Sequence, residues 1–184
     1  MRTKAFFTGV IIAASIVTLY IIYRSGGLPG IGLYLAALSA IFIFFFLSQR
    51  SRAMLASNLA KLAKAINAPF DDNGALFNGE GQYCAVPVGF REINLRGWSS
   101  LDVYCSPAHV SGNFDGESVR PSQNTVLRQG RVFLDASAAG AFSKKEFSGN
   151  DILEILEDLR KAARVAETGT TPYKRSRAWK LMSG

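Results

Sequence analysis

AFFTGVIIAASIVTLYIIY (residues 5–23), RSGGLPG (residues 24–30) and IGLYLAALSAIFIFFFL (residues 31–47) follow one another near the start of the chain. Neither apolar run, Ala5 to Tyr23 or Leu28 to Leu47, contains a charge. About 20 apolar residues rising roughly 1.5 Å each cover a hydrocarbon core of about 30 Å, so each run has the length of a membrane span. The link is rich in Gly, and Pro29 stands at the entry to the second run, which suits a tight antiparallel connection. The expectation is a transmembrane helical hairpin over residues 1–50, with spans at about 5–23 and 28–48. A cleaved signal peptide is the rival for the first run, because Arg2 and Lys4 form a positive leader. The length of the run, the lack of an A-x-A site and the second run directly after it argue against that rival.

Charge sets the orientation. No acid precedes Asp71, so the first seventy residues carry +7 and the rest sum to zero. Arg2 and Lys4 flank the first run, and Arg50, Arg52, Lys61 and Lys64 follow the second, whereas the link has Arg24 alone. Basic residues near span ends are retained on the cytoplasmic side, so both termini are expected there. Gly32, Ala36 and Ala40 form a small-xxx-small pattern, a candidate surface for helix packing and self-association.

Residues 51–69 read as an amphipathic connecting helix, with Leu55, Leu59, Leu62 and Ile66 on one stripe and Pro69 ending it. Either the stripe packs on the soluble domain, or the helix lies on the inner leaflet. A narrow stripe without an aromatic anchor favours packing. Arg50, Arg52, Lys61 and Lys64 are the candidate membrane-surface contacts here, each worth about 1 kcal/mol beside anionic lipid.

A soluble domain is expected over residues 70–167. Its strands are Gln82–Val88, Arg91–Leu95, Leu101–Cys105, Thr125–Leu127 and Arg131–Asp135, the first demoted to an edge by Pro87. The glycines between Asp72 and Gly81 read as hairpin turns, and Ser106–Gln123 as a long loop. A helix over Asp151–Val165, capped by Asn150 or Ser148, buries Ile152, Leu156, Leu159 and Ala163. The fold class is therefore α+β: a hairpin, then a mostly antiparallel sheet with a C-terminal helix.

Val132-Phe-Leu134, then Phe142-Ser-Lys-Lys-Glu-Phe147, then the helix from Asp151, resembles the strand, basic-aromatic motif and last helix of bacterial membrane proteins with a YcxB-like C-terminal domain. Trp98-Ser99 is similar to that family's Trp-Ser before a central strand. Ser143 stands where the family usually has Pro, and the loop after the central strand is an insertion. The resemblance implies two spans, a small domain resembling pleckstrin-homology folds and no established catalytic role. The expected location is the bacterial inner (plasma) membrane, multi-pass, with both termini cytoplasmic.

Chemistry has few candidates. His109 is the only histidine, and Cys84 and Cys105 are the only cysteines. No C-x-x-C or H-E-x-x-H spacing is present, so no metal, cofactor or catalytic residue is expected. Residues 71–167 hold ten Lys and Arg against fourteen acids, which excludes a nucleic-acid face. The basic tail, 168–184, surrounds Trp179 with Lys174, Arg175, Arg177 and Lys180, a composition suited to the anionic leaflet. The leading expectation is a membrane-anchored, non-enzymatic interaction module or accessory subunit, its partners the bilayer and another membrane protein or complex. One alternative is an immunity or entry-exclusion type membrane protein of a mobile element. Another is a thiol-dependent enzyme using Cys84, Cys105 or His109.

Overall fold

Acid-free and mostly apolar, the start of the chain is helical: in the computed structural model, helix α1 runs from Arg2 to Ala65. The structure describes residues 2–71, 76–95, 98–111 and 120–170. The chain divides into two compact units, Met1–Arg50 and Ser51–Gly184. Arg24–Gly30, expected as a non-helical link between two helices, is itself helical, so a separate two-helix hairpin is not shown. Pro and Gly lower helix stability without forbidding helical backbone angles, so these residues can be helical despite their composition.

In the first unit the side chains of Ile41 to Leu47 are all exposed, Phe42 at 70% and Phe44 at 76%. Among the described residues, Tyr34–Ala65 is the helix long and apolar enough to cross a membrane, by length and composition, and Ser15–Arg24 is a shorter apolar stretch.

The second unit begins inside α1. Leu55, Leu59, Leu62 and Ile66 are buried in its core, so the amphipathic stripe packs on the sheet domain. The helix is stopped by Asn67, whose φ of 53° is left-handed, two residues before Pro69. The Ala68 N–H donates to the Ala63 carbonyl and the Asn67 N–H to Lys64, the paired bonds of a Schellman cap.

Five antiparallel strands follow: β1 (Asn78–Tyr83), β2 (Val86–Leu95), β3 (Trp98–Cys105), β4 (Thr125–Arg128) and β5 (Arg131–Leu134), in spatial order β1-β2-β3-β5-β4. Register places Gly81, Val88, Cys105, Val132 and Leu127 in one row on the inner face. Gly81 is glycine because its β1 strand lies on the end of α1: the Gln82 N–H donates to the Ile66 carbonyl at 2.8 Å, and a Cβ at Gly81 would collide with that same carbonyl.

Gln82–Val88, expected as one strand, is instead a hairpin. Cys84 and Ala85 both have positive φ, 48° and 65°, the conformation of a two-residue primed turn. Gly79 and Gly81, expected as turns, lie within β1, and Gly74 lies outside the described residues. Pro87 sits at the start of β2, a strand paired on both sides, rather than on an edge strand. After β5 come α2 (Ala136–Gly140), a single 3-10 turn (Ala141–Ser143) and α3 (Gly149–Thr168). Helix α3 extends beyond the expected ends because Ser148 and Asp151 form a reciprocal capping box at one end and Gly169 a left-handed cap at the other. Ile152, Leu156, Leu159 and Ala163 are buried as the periodicity predicts.

Candidate functional site

The sheet has a second face. Strand register sets Glu80, Gly89, Tyr104, Phe133 and Val126 in one row across all five strands, flanked by Asn78, Arg91 and Asp102 on one side and by Arg131 and Arg128 on the other. Glu80, Arg91, Arg128 and Arg131 are exposed, so this face meets solvent, while Tyr104 is largely covered by its neighbours.

Gly89 makes the arrangement possible. A Cβ there would lie 2.7 Å from the Tyr104 phenol carbon, so only glycine lets the ring lie across β2. The Tyr104 hydroxyl thereby reaches β1 and donates to Glu80 Oε1 at 2.5 Å. The Arg131 guanidinium stacks 4.8 Å from the Tyr104 ring centre, and Phe133 packs at 5.5 Å on the same ring. Desolvation first, then the Glu80 hydrogen bond, raises the Tyr104 pKa above its ordinary value. Tyr104 therefore stays a neutral phenol at physiological pH and keeps donating to Glu80.

Two concavities open on either side of this string and share Glu80, Tyr104 and Arg131. The larger, about 870 Å³, adds Asp71, Arg91, Asp102 and Gln129. The smaller, about 380 Å³, adds Gln82, Pro87 and Ser106. Carboxylates and guanidinium groups alternate over an aromatic floor, a surface chemically suited to reading a polar, charged partner.

The residues expected to carry chemistry line neither concavity. Cys105 is fully buried, its thiol donating to the Leu159 carbonyl at 3.4 Å, and burial pushes its pKa up to about 12, far from a reactive thiolate. Cys84 is exposed at the tip of the β1–β2 turn, and His109 is exposed on the segment after β3. Among the described residues no three His, Cys, Asp or Glu cluster as metal ligands would.

Of the expected membrane-surface residues, Arg50 and Lys64 are exposed. Arg52 pairs with the buried Glu92 at 3.4 Å and lies over the Phe77 ring, and Lys61 bonds Glu146 and the Phe147 carbonyl. Lys174, Arg175, Arg177, Trp179 and Lys180 lie outside the described residues. Gly32, Ala36 and Ala40 are exposed, and nothing lies within 4 Å of a Cβ built at Gly32.

Sequence reasoning missed Gly89, Tyr104 and Arg131. The available signal was Gly89 between Val88 and Phe90, a glycine inside an apolar strand, which marks a close approach. Comparison with known protein families, with characterised proteins and with solved structures finds no match.

Proposed function

We propose that this protein is a membrane-anchored, non-enzymatic interaction module or accessory subunit of the bacterial inner membrane, presenting its sheet domain to another membrane protein or complex. The observation that carries it is the Glu80–Tyr104–Arg131 string on a solvent-facing sheet, within a chain whose Ile41–Leu47 side chains are exposed and apolar. Glycine at position 89 and a ring lying over it make a built surface, which supports recognition of a partner.

Two spans with both termini cytoplasmic fit the charge distribution. A further support is the Tyr34 hydroxyl, which donates to the Ser15 carbonyl at 3.2 Å. A straight helix would hold positions 19 apart about 28 Å away, so this bond favours a reversal of direction between the two apolar runs. The basic tail returns to the anionic leaflet in this reading, and self-association runs through Gly32, Ala36 and Ala40.

Affinity purification of the full-length protein from native membranes in mild detergent, followed by mass spectrometry, tests the proposal. A stoichiometric membrane partner retained by the natural chain and lost by Arg91→Glu/Arg131→Glu is the expected result. A protein that emerges alone, or a partner indifferent to both reversals, overturns the reading.

A further inference from the structure

The segment Phe142-Ser-Lys-Lys-Glu-Phe147 is held to the N-terminal part of the buried portion of α1 by an unusual density of bonds. Asn58, fully buried, donates to the carbonyls of Phe142 and Lys145 at 2.8 and 2.7 Å and accepts from the Phe147 N–H at 2.9 Å. Lys61 donates to the Phe147 carbonyl, and the Ser51 hydroxyl donates to the Ser143 carbonyl at 3.1 Å. Phe142 and Phe147 are the anchors below, edge to face at 5.1 Å. Between them Lys144 and Lys145 have exposed side chains, and Glu146, the acid of the segment, is drawn to Lys61 at 3.2 Å.

Ser51 is four residues beyond Leu47, the end of the exposed apolar run. Four residues span at most about 14 Å whatever path they take. Ser143, hydrogen-bonded to Ser51, is held only one hydrogen-bonded contact farther from the hydrocarbon edge. From this we infer that Lys144 and Lys145 form a membrane-surface contact for anionic lipid headgroups, a site absent from the sequence-based set of basic residues. The inference rests on the reading that the run ending at Leu47 is embedded in lipid. The contact is pre-organised: the backbone carrying both lysines is already fixed by Asn58.

The test uses the full-length chain in phosphatidylcholine nanodiscs doped with phosphatidylglycerol whose headgroup carries a photoreactive group, with cross-linked peptides mapped by mass spectrometry. The natural chain is expected to be labelled both at residues 48–51 and at residues 141–147. In Lys144→Gln/Lys145→Gln, labelling of 141–147 falls, about fivefold per lysine when anionic lipid is limiting, and 48–51 is unchanged. Lys144→Arg/Lys145→Arg restores it. Label at 48–51 with none at 141–147, or with 141–147 indifferent to the Gln pair, overturns the lysine contact alone. Absence of label at both segments overturns the embedding reading and this inference with it.

Discussion

Two stretches of one helix, residues 41–47 and residues 55–66, are rich in the same kinds of side chain and meet different surroundings. Phe42, Phe44 and their neighbours are exposed along the whole circumference, whereas Leu55, Leu59, Leu62 and Ile66 are buried on one stripe beneath a sheet. The first stretch is apolar all round and is left exposed among the described residues. The second alternates with Asn58, Lys61 and Lys64, and Arg52 precedes it, each placed to bond the domain or face water. The pattern of polar residues, rather than the amount of apolar surface, separates the helix portion apolar enough to cross a membrane from the portion that completes a protein core.

The contrast can be broken at its polar hinge first. Asn58→Ala leaves three partners on the 142–147 segment unmet and should destabilise the second unit by about 3–5 kcal/mol. Chemical denaturation of the full-length chain in detergent measures it, and a loss below about 1 kcal/mol would remove Asn58 from its assigned role. Leu59→Ala should cost about 3 kcal/mol in the same assay, while Phe44→Ala changes it by less than about 0.5 kcal/mol. Equal effects from the two would mean that both stretches share one environment.

Smaller effects sharpen the description of the open face. Gly89→Ala pushes the Tyr104 ring from its place and should lower stability by about 1–2 kcal/mol, read as a fall in melting temperature together with a shifted Tyr104 ring signal by NMR. Smallest is an acid titration. The Arg160 hydrogen bond, opposed by burial and helped by Arg160, Lys161 and Arg164 charges, holds Glu157 below its ordinary 4.5. Its contribution is present above that ordinary value and lost as pH falls through the lowered one, amounting to no more than about 1 kcal/mol because the pair is partly exposed. Glu157→Gln should flatten that part of the stability-versus-pH curve, and an unchanged slope would assign it to other carboxylates.

Legibility followed locality. The Leu55–Ile66 stripe and the Ser148 cap were readable because their signals sit within one or two turns of helix. The β1–β2 hairpin was not, since Cys84-Ala85 adopts positive φ without the Asn or Gly that normally announces it, leaving Gln82–Val88 looking like one strand. Gly79 and Gly81 were misread as turns because what requires them lies outside their own strand: the Phe90 ring and the Pro69 carbonyl crowd Gly79, and the Ile66 carbonyl at the end of α1 crowds Gly81. The Glu80–Tyr104–Arg131 string depends on three strand registers at once, and no single segment encodes it. Searching for Cys and His chemistry pointed to a thiol that proves to be buried, with its pKa near 12, and to two exposed side chains outside the concavities.

Alkaline carbonate extraction of membranes carrying the full-length chain tests the central claim most directly. The account predicts that the protein stays in the membrane pellet, because the exposed Ile41–Leu47 stretch is proposed to lie in lipid. Quantitative release into the supernatant would contradict it and would require another protein surface to cover those side chains.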